Sequence, residues 1–413
     1  MMRTARSREF DVLIVGAGVI GLSVASVLLA RKVCTAGRVA VIADRFDAPP
    51  TGDADWDLRV FAMSRASERL LKICGIWDAL PANRVFPYER MCVWDAGGTA
   101  TGSGALLFDC AQIGEPNLGY IVDAKALAWQ CVHAARVLGV VLIAGGVAAV
   151  IPGDDDVTLR LTDGRELHSS LLAAADGTDS KTRELLGIDT AGHAYHQDAL
   201  VAHVRTAEPH AKTAWQRFLN TGPVAFLPLD DGRCSIVWSV VRSEADRLRA
   251  MDAHAFGEAL TAASGEVLGK CTLASKLASF PLKLQYAVDY ARPRAVLLGD
   301  AAHVVHPLAG QGLNLGLLDC AALAEVLGDA GGADNFGDLK SLRRYERWRR
   351  SENLIAAAAL DGLERLFSQP DALSSGLRTA GLNAVARLPG LKRRFAQRAL
   401  GLAGDVPEFL KAV

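Results

Sequence analysis

Apolar residues near the start of the chain run almost without interruption: residues 12–30 are nineteen positions without a charge. That is close to the ~20 residues a bilayer span requires. The glycines argue for a different order of elements. A short β-branched run at 11–15 is followed by Gly16, Gly18 and Gly21, and an apolar helical stretch continues to Ala30. The pattern therefore predicts a strand, a tight turn and a helix. A second apolar strand is predicted over 39–42, ending near Asp44.

Further along, 123–138 reads as a helix and 140–143 as a strand. Two strands at 157–161 and 166–168 flank the hairpin signal Thr162-Asp163-Gly164-Arg165. Strand-like pieces at 90–94 and 105–110 lie between Gly-rich turns. Four strands at 199–205, 214–218, 224–228 and 234–240 have the spacing of an antiparallel sheet, with a helix predicted over 243–260. A buried strand at 295–298 then leads through a Gly/Pro-rich loop into an apolar helix at 315–327, and a helical tail closes the chain.

Composition narrows the class. With 413 residues, half of them hydrophobic, the chain can bury a large core and is expected to form at least two domains. Acids (46) and bases (45) nearly cancel, so no general basic surface argues for nucleic acid. Eight cysteines without a CxxC read as reduced packing residues of a cytoplasmic protein. Residues 1–10 have arginines but no apolar core, so no cleaved signal peptide is expected. His303 and His306 have no acidic or Cys cluster beside them, and no metal is expected.

Three motifs carry chemistry. GAGVIG at 16–21 sits between the first strand and its helix, the context of a dinucleotide-binding fingerprint. Gly16 makes the turn, Gly18 lets the backbone approach a pyrophosphate, and Gly21 lets helix and strand pack. The helix N-terminus offers free N–H groups to phosphate, and an acid after the second strand would hold ribose hydroxyls. LLAAADGTDSKTR at 171–183 ends a strand of small residues at Asp176-Gly177; taken alone it is a turn with Ser180 as helix cap. LLGDAAHVVHPLAGQGLN at 297–314 ends a strand at Asp300 and runs through glycines into a helix.

In this order the three motifs resemble those of FAD-dependent aromatic hydroxylases of the p-hydroxybenzoate hydroxylase fold. DLRVFAMS at 57–64, LLKICGIW at 70–77, MCVWDAG at 91–97, GYIVDAKAL at 119–127, FPLKLQYAVDY at 280–290 and LRRYERWRRSEN at 342–353 are similar, more narrowly, to the ubiquinone-biosynthesis hydroxylases. Asp361-Gly362-Leu363 with Leu366-Phe367 extends the resemblance over nearly the whole chain. It implies an α/β protein: a discontinuous Rossmann-like FAD-binding domain (1–83, 119–189 and 286–350), an antiparallel-sheet substrate domain (190–285, with substrate-side strands at 84–118) and a helical C-terminal tail (351–413).

The resemblance also implies roles. Gly16, Gly18, Gly21, Asp44, Arg59, Asp176, Gly177, Arg183, Gly299, Asp300, Gly310, Gln311, Gly312, Leu313 and Asn314 would bind FAD, with Asp300 on the ribityl chain and Arg59 near the pyrophosphate. Asp176, Gly177 and Arg183 would also meet the passing nicotinamide. Pro307, Gly310 and Gly312 would form the catalytic loop along the flavin's pyrimidine edge. Two positions depart from the family pattern: Ala43 stands where the family has Glu, with Asp44 one residue later, and Ala124-Lys125 replaces Asn-Arg.

The implied reaction uses NAD(P)H and O2. A flavin C4a-hydroperoxide passes its distal oxygen to the ring of a polyprenylated phenol, a precursor of ubiquinone. The cofactor supplies the reactivity, so no side-chain nucleophile is required. A polyprenyl tail implies an apolar tunnel and peripheral contact with the inner face of the cytoplasmic membrane. The basic amphipathic stretch at 388–402 is a candidate for that contact. A place in a quinone-biosynthesis complex is a further implied partnership. A soluble phenol as substrate, or a low-turnover FAD-holding subunit of such a complex, are the alternatives.

Overall fold

The computed structural model describes residues 8–49, 55–102, 104–305, 310–368 and 388–411. Its central sheet is built on β1 (Phe10–Val15). On one side β1 pairs with β2 (Val39–Ala43), which pairs with β8 (Val141–Ala144); on the other it pairs with β11 (Glu166–Ala174), which pairs with β19 (Ala295–Leu297). All of these pairs are parallel. β18 (Ala291–Arg292) closes one edge antiparallel, and the hairpin of β9 (Val147–Pro152) and β10 (Val157–Leu161) extends from the first half of β11. β1 is buried along its whole length, as a parallel strand covered on both faces must be, and reads accordingly as a continuous apolar run.

Helix α1 (Val19–Ala30) follows β1 and is apolar on every side because α3 (Ala124–Val137), α7 (Gln311–Gly328) and the sheet all pack against it. The resemblance of 12–30 to a membrane span is therefore the signature of a strand and a helix that share one core. Among the described residues no helix is long and apolar enough to cross a membrane. Behind α7 lies α8 (Leu339–Ser368), and α2 (Arg65–Ile73) packs on α7 from the other side.

The second sheet holds β20 (His303–Val304), β17 (Ala278–Ala287), β12 (Thr190–Thr206), β15 (Cys234–Val241), β14 (Gly222–Pro228), β13 (Thr213–Leu219), β5 (Arg90–Asp95) and β6 (Ala105–Asp109) in that spatial order, with β16 (Cys271–Leu273) beside β12. Every pair in it is antiparallel except β5 with β13. A core of its own forms where Phe256 and Leu260 meet Ile236 and Trp238. The smallest sheet, β3 (Val60–Met63) with β7 (Gly119–Asp123) and β4 (Val85–Tyr88), bridges the two larger ones.

The strands expected at 90–94 and 105–110 are β5 and β6 and join the second sheet, while β4 pairs with the edge of β7 that β3 leaves open. One sequence expectation is corrected. The helix expected over 243–260 is two helices, α5 (Arg242–Arg249) and α6 (Ala253–Ser264). Asp252 breaks it by turning its carboxylate onto the Ala255 N–H at 2.8 Å as an N-cap. α4 (Lys181–Leu185) is a single short turn after the second motif, and α9 (Pro389–Ala399) is a described helix of the C-terminal region beyond the end of α8.

Candidate active site

The three motifs converge on one cavity of about 630 Å³ between the two large sheets. Gly18, Arg59, Gly177, Asp300, Gly310, Gln311, Gly312 and Leu313 line it, and the wall across from them includes Trp215, Leu227 and Val237 of the second sheet. Two helices begin at this cavity, α1 after Gly18 and α7 after Gly310. Neither has a side-chain cap, and neither carries an acid in its first turn. Several other helices are capped, Ser64, Asp123 and Asp252 each accepting a first-turn N–H, while α5 and α9 also begin without a side-chain cap. Uncapped N-termini leave backbone donors and the positive end of the helix dipole facing the cavity, a setting for anionic groups.

The glycines divide by what surrounds them. A Cβ on Gly21 would lie 1.9 Å from the Gly16 carbonyl oxygen, so Gly21 is what lets α1 close on the turn. A Cβ on Gly18 would meet nothing within 4 Å: the space beside it is open on the cavity side. Gly310 adopts φ 61° as it enters α7, the left-handed region that favours glycine.

Several predicted residues stand behind the cavity wall and fasten it. The Asp176 carboxylate accepts the Thr182 N–H at 2.9 Å and the Ser180 hydroxyl, and Ser180 caps α4 by accepting the Arg183 N–H at 3.0 Å. Buried Arg183 donates to the carbonyls of Thr178 and Ala301, both at 3.1 Å, and so ties the second motif to the third. Asn314 donates to the carbonyls of Ala62 and Gly310 and accepts from the Ser64 N–H and the Ser67 hydroxyl. With all its amide valences taken, it acts by locking β3, α2 and the start of α7 together. Gly16, Gly21 and Gly299 likewise lie outside the lining. Asp44 sits exposed just past β2 and is not a lining residue, whereas Asp47 is. Pro307 and His306 lie outside the described residues. Lys125 pairs with Asp57 at 3.4 Å, beside Arg59.

Asp300 is exposed to the cavity, with protein crowded around its carboxyl on the other sides. Desolvation raises its carboxyl above the usual range, opposed by His303, by the Thr178 hydroxyl at 3.4 Å and by Lys283.

Behind it lies a network that sequence reasoning missed. The Asp319 carboxylate, fully buried in α7, accepts the Gly299 N–H at 3.1 Å and contacts His303 Nε2 at 2.6 Å with one oxygen. With the other it accepts Arg349 Nε at 2.7 Å and Asn353 Nδ2 at 3.2 Å. Arg349 is buried as well and also donates to Asn353 Oδ1 at 3.0 Å. The backbone that presents Asp300 is thus pinned to α7 and α8. A signal existed: an aspartate in the middle of a mostly apolar helix must be paired, and Arg349 and Asn353 are one helical turn apart.

Burial would raise Asp319, but His303 and Arg349 outweigh it and hold the carboxyl at about 2. The folded value is depressed below the unfolded one near ~4. Its stabilisation, of order 2 kcal/mol, is therefore complete above about pH 4 and lost as pH falls toward 2. Acid unfolding of wild type should steepen across that window, and Asp319→Asn should lack that component; an identical acid limb in both proteins would refute the assignment.

The FAD binding domain family matches residues 123–352. The 3-demethoxyubiquinol 3-hydroxylase of Escherichia coli (strain K12) is 33% identical over 396 residues, 95% of this chain and 98% of that protein. The ubiquinone hydroxylase UbiL of Rhodospirillum rubrum is 34% identical over 410 residues, 98% of this chain and 93% of that protein. The chain belongs to the FAD-dependent ubiquinone-biosynthesis hydroxylases. In fold, the p-nitrophenol 4-monooxygenase PnpA of Pseudomonas putida DLL-E4 superposes with a TM-score of 0.72 at 19% identity, covering 96% of this chain and 99% of that one.

For this hydroxylase FAD is the cofactor, and the cavity fits it on its own chemistry: two uncapped helix starts for phosphate and a polarised ring edge, open space at Gly18 for pyrophosphate, and a carboxylate at Asp300 for hydroxyl groups. All eight cysteines are buried and unpaired with one another, in keeping with a packing role.

Proposed function

We propose that this hydroxylase adds oxygen to the aromatic ring of a polyprenylated phenol on the route to ubiquinone, with NAD(P)H as reductant and O2 as the oxygen source. The observation that carries this reading is the composition of the cavity. Its one side is made by the three nucleotide motifs, and its other side, from the antiparallel sheet, is mostly apolar with Gln216 and Ser239 as its polar groups, as a flat ring laid against a cofactor requires. Bound FAD supplies the redox chemistry that links nicotinamide oxidation to oxygen transfer.

The protein's part is to hold, orient and exclude water. Gly18 and the start of α1 hold the pyrophosphate, with Arg59 beside it. Asp300 accepts from ribityl hydroxyls, and the start of α7 at Gly310, Gln311, Gly312 and Leu313 stabilises negative charge on the reduced ring system. Asp176, Gly177 and Arg183 shape the approach of the nicotinamide. Trp215, Leu227 and Val237 press the phenol ring into place and keep the space dry.

The test is turnover of a prenylated phenol by the purified FAD-loaded protein with NAD(P)H under ¹⁸O2. One labelled oxygen per product, in step with nicotinamide oxidation, is expected. Nicotinamide oxidation that does not depend on the phenol, with no label in the product, would overturn the proposal.

A further inference from the structure

Strand alternation sorts the side chains of the second sheet. Val224, Phe226, Ile236 and Trp238 enter that sheet's own core, so the residues between them, Ala225 and Val237, face the cavity. Gln216 stands opposite Ala225 in the ladder, and Ser239 follows Val237 by two positions, so both share the cavity face. Each is a polar side chain on a mostly apolar wall. Gln216 is 6% exposed and Ser239 2%, and among the described residues neither side chain has a hydrogen-bond partner in the protein. A buried amide or hydroxyl without a partner is costly unless a ligand completes it. The three nucleotide motifs form the opposite side of the cavity, so what meets this wall is the ring rather than the cofactor.

We propose that Gln216 and Ser239 are the specificity-determining pair of this hydroxylase. Each hydrogen-bonds one oxygen substituent of the substrate ring, and the two oxygens lie on opposite edges of it. This proposal rests on the hydroxylase reading above and deepens it.

Register sets the distance. Gln216 pairs with Ala225 and Ala225 with Val237, so Ser239 lies two strands across and two residues along from Gln216. Regular strand spacing puts their Cα atoms roughly 12 Å apart. A ring with oxygens on opposite edges, plus a hydrogen bond at either end, spans a similar length; oxygens on adjacent carbons fall short. Ala225, the small residue between the two, leaves the wall open to the flat face of the ring. Both groups sit on inner strands: β13 lies between β5 and β14, and β15 between β14 and β12. Gly222 tightens the second, since a Cβ there would lie 2.3 Å from the Ser239 carbonyl oxygen. The two points are held by rigid elements, as a selective site requires.

Chemistry sets the class. An amide and a hydroxyl each donate and accept. They suit a ring hydroxyl or an ether oxygen, but neither offsets the charge of a desolvated carboxylate. The substrate class is therefore a neutral ring with hydroxyl or ether oxygens at two opposite positions. Two points of attachment also stop the ring from turning in its own plane, and so fix the carbon presented to the cofactor side.

The experiment gives the full-length FAD-loaded protein two prenylated rings, one with a single hydroxyl and one with a methoxy group added opposite that hydroxyl. Wild type should favour the second by about tenfold in kcat/KM, the effect of one buried hydrogen bond gained. Gln216→Met and Ser239→Ala should each bring that preference to within about twofold of unity, because either leaves a single attachment. With the second ring, each variant should also yield a mixture of hydroxylation positions where wild type yields one, a readout that a merely structural residue would not move. FAD content and melting temperature check folding. Ser239→Ala removes one oxygen atom only, and carries the test if Gln216→Met loses FAD. No preference in wild type, or an unchanged preference and a single product in the folded variants, overturns the pair while leaving the hydroxylase reading intact. Failure of wild type to oxidise either ring overturns the hydroxylase reading itself.

Discussion

Arg349→Ala is expected to lower the unfolding free energy by about 3–5 kcal/mol, the usual penalty for stranding one member of a buried ion pair. Asp319 is fully buried, and Arg349 supplies its 2.7 Å contact from α8. Without it the carboxylate keeps His303 and the Asn353 amide, neither of which replaces a fixed guanidinium. Chemical denaturation followed by fluorescence measures the loss, and a change under about 1 kcal/mol would show the pair to be unimportant. A second comparison separates stability from positioning. Asp319→Leu combined with Arg349→Leu removes both charges, and replacing a buried pair with apolar groups is often neutral. The double variant should regain much of the stability. FAD retention should stay weakened, because the Gly299 N–H and His303 have lost the acceptor that holds the backbone before Asp300.

Gly21→Ala and Gly18→Ala should both impair FAD binding, but for different reasons. The new methyl at position 21 would sit 1.9 Å from the Gly16 carbonyl oxygen, a backbone atom that cannot swing aside. Helix α1 must then lift off the turn, an overpacking that costs about 1–3 kcal/mol in the protein itself. At position 18 the methyl meets no protein atom within 4 Å, so the apoprotein should be as stable as wild type. It would instead occupy space proposed for the pyrophosphate. Equilibrium dialysis should find FAD affinity reduced about tenfold to a hundredfold in both variants, equivalent to ~1.4–2.8 kcal/mol. Thermal denaturation of the apoproteins should find only Gly21→Ala destabilised. Equal melting temperatures, or an undiminished affinity in Gly18→Ala, would contradict the division of labour.

The parts of the site carried by local backbone chemistry are legible in the amino-acid order alone. GAGVIG between a strand and a helix states its own geometry, because only that glycine spacing permits the turn, the open approach and the close helix contact. Asp176 shows the limit of such reading. Its turn-and-cap chemistry is visible in ADGTDSKTR, and the fold retains it; what could not be read is that Arg183, later in the same motif, reaches the Ala301 carbonyl. Asp44 and Asp47 differ by three positions, yet one side of a loop faces the cavity and the other does not, a matter of how the chain leaves β2.

By itself the sequence determined the order of strands and helices at the start of the chain, the glycine turns, the family and its cofactor. Each follows from residue type at short separation, where backbone sterics and hydrogen bonding act directly. Tertiary structure decided the rest. It placed 84–95 in two different sheets, set Asn314 to locking rather than lining, buried Asp319 between His303 and Arg349, and laid α9 over the far end of the cavity. Those outcomes depend on contacts between residues tens to hundreds of positions apart. No local pattern encodes them, because the free energy that selects them is gained only when distant segments exclude water together.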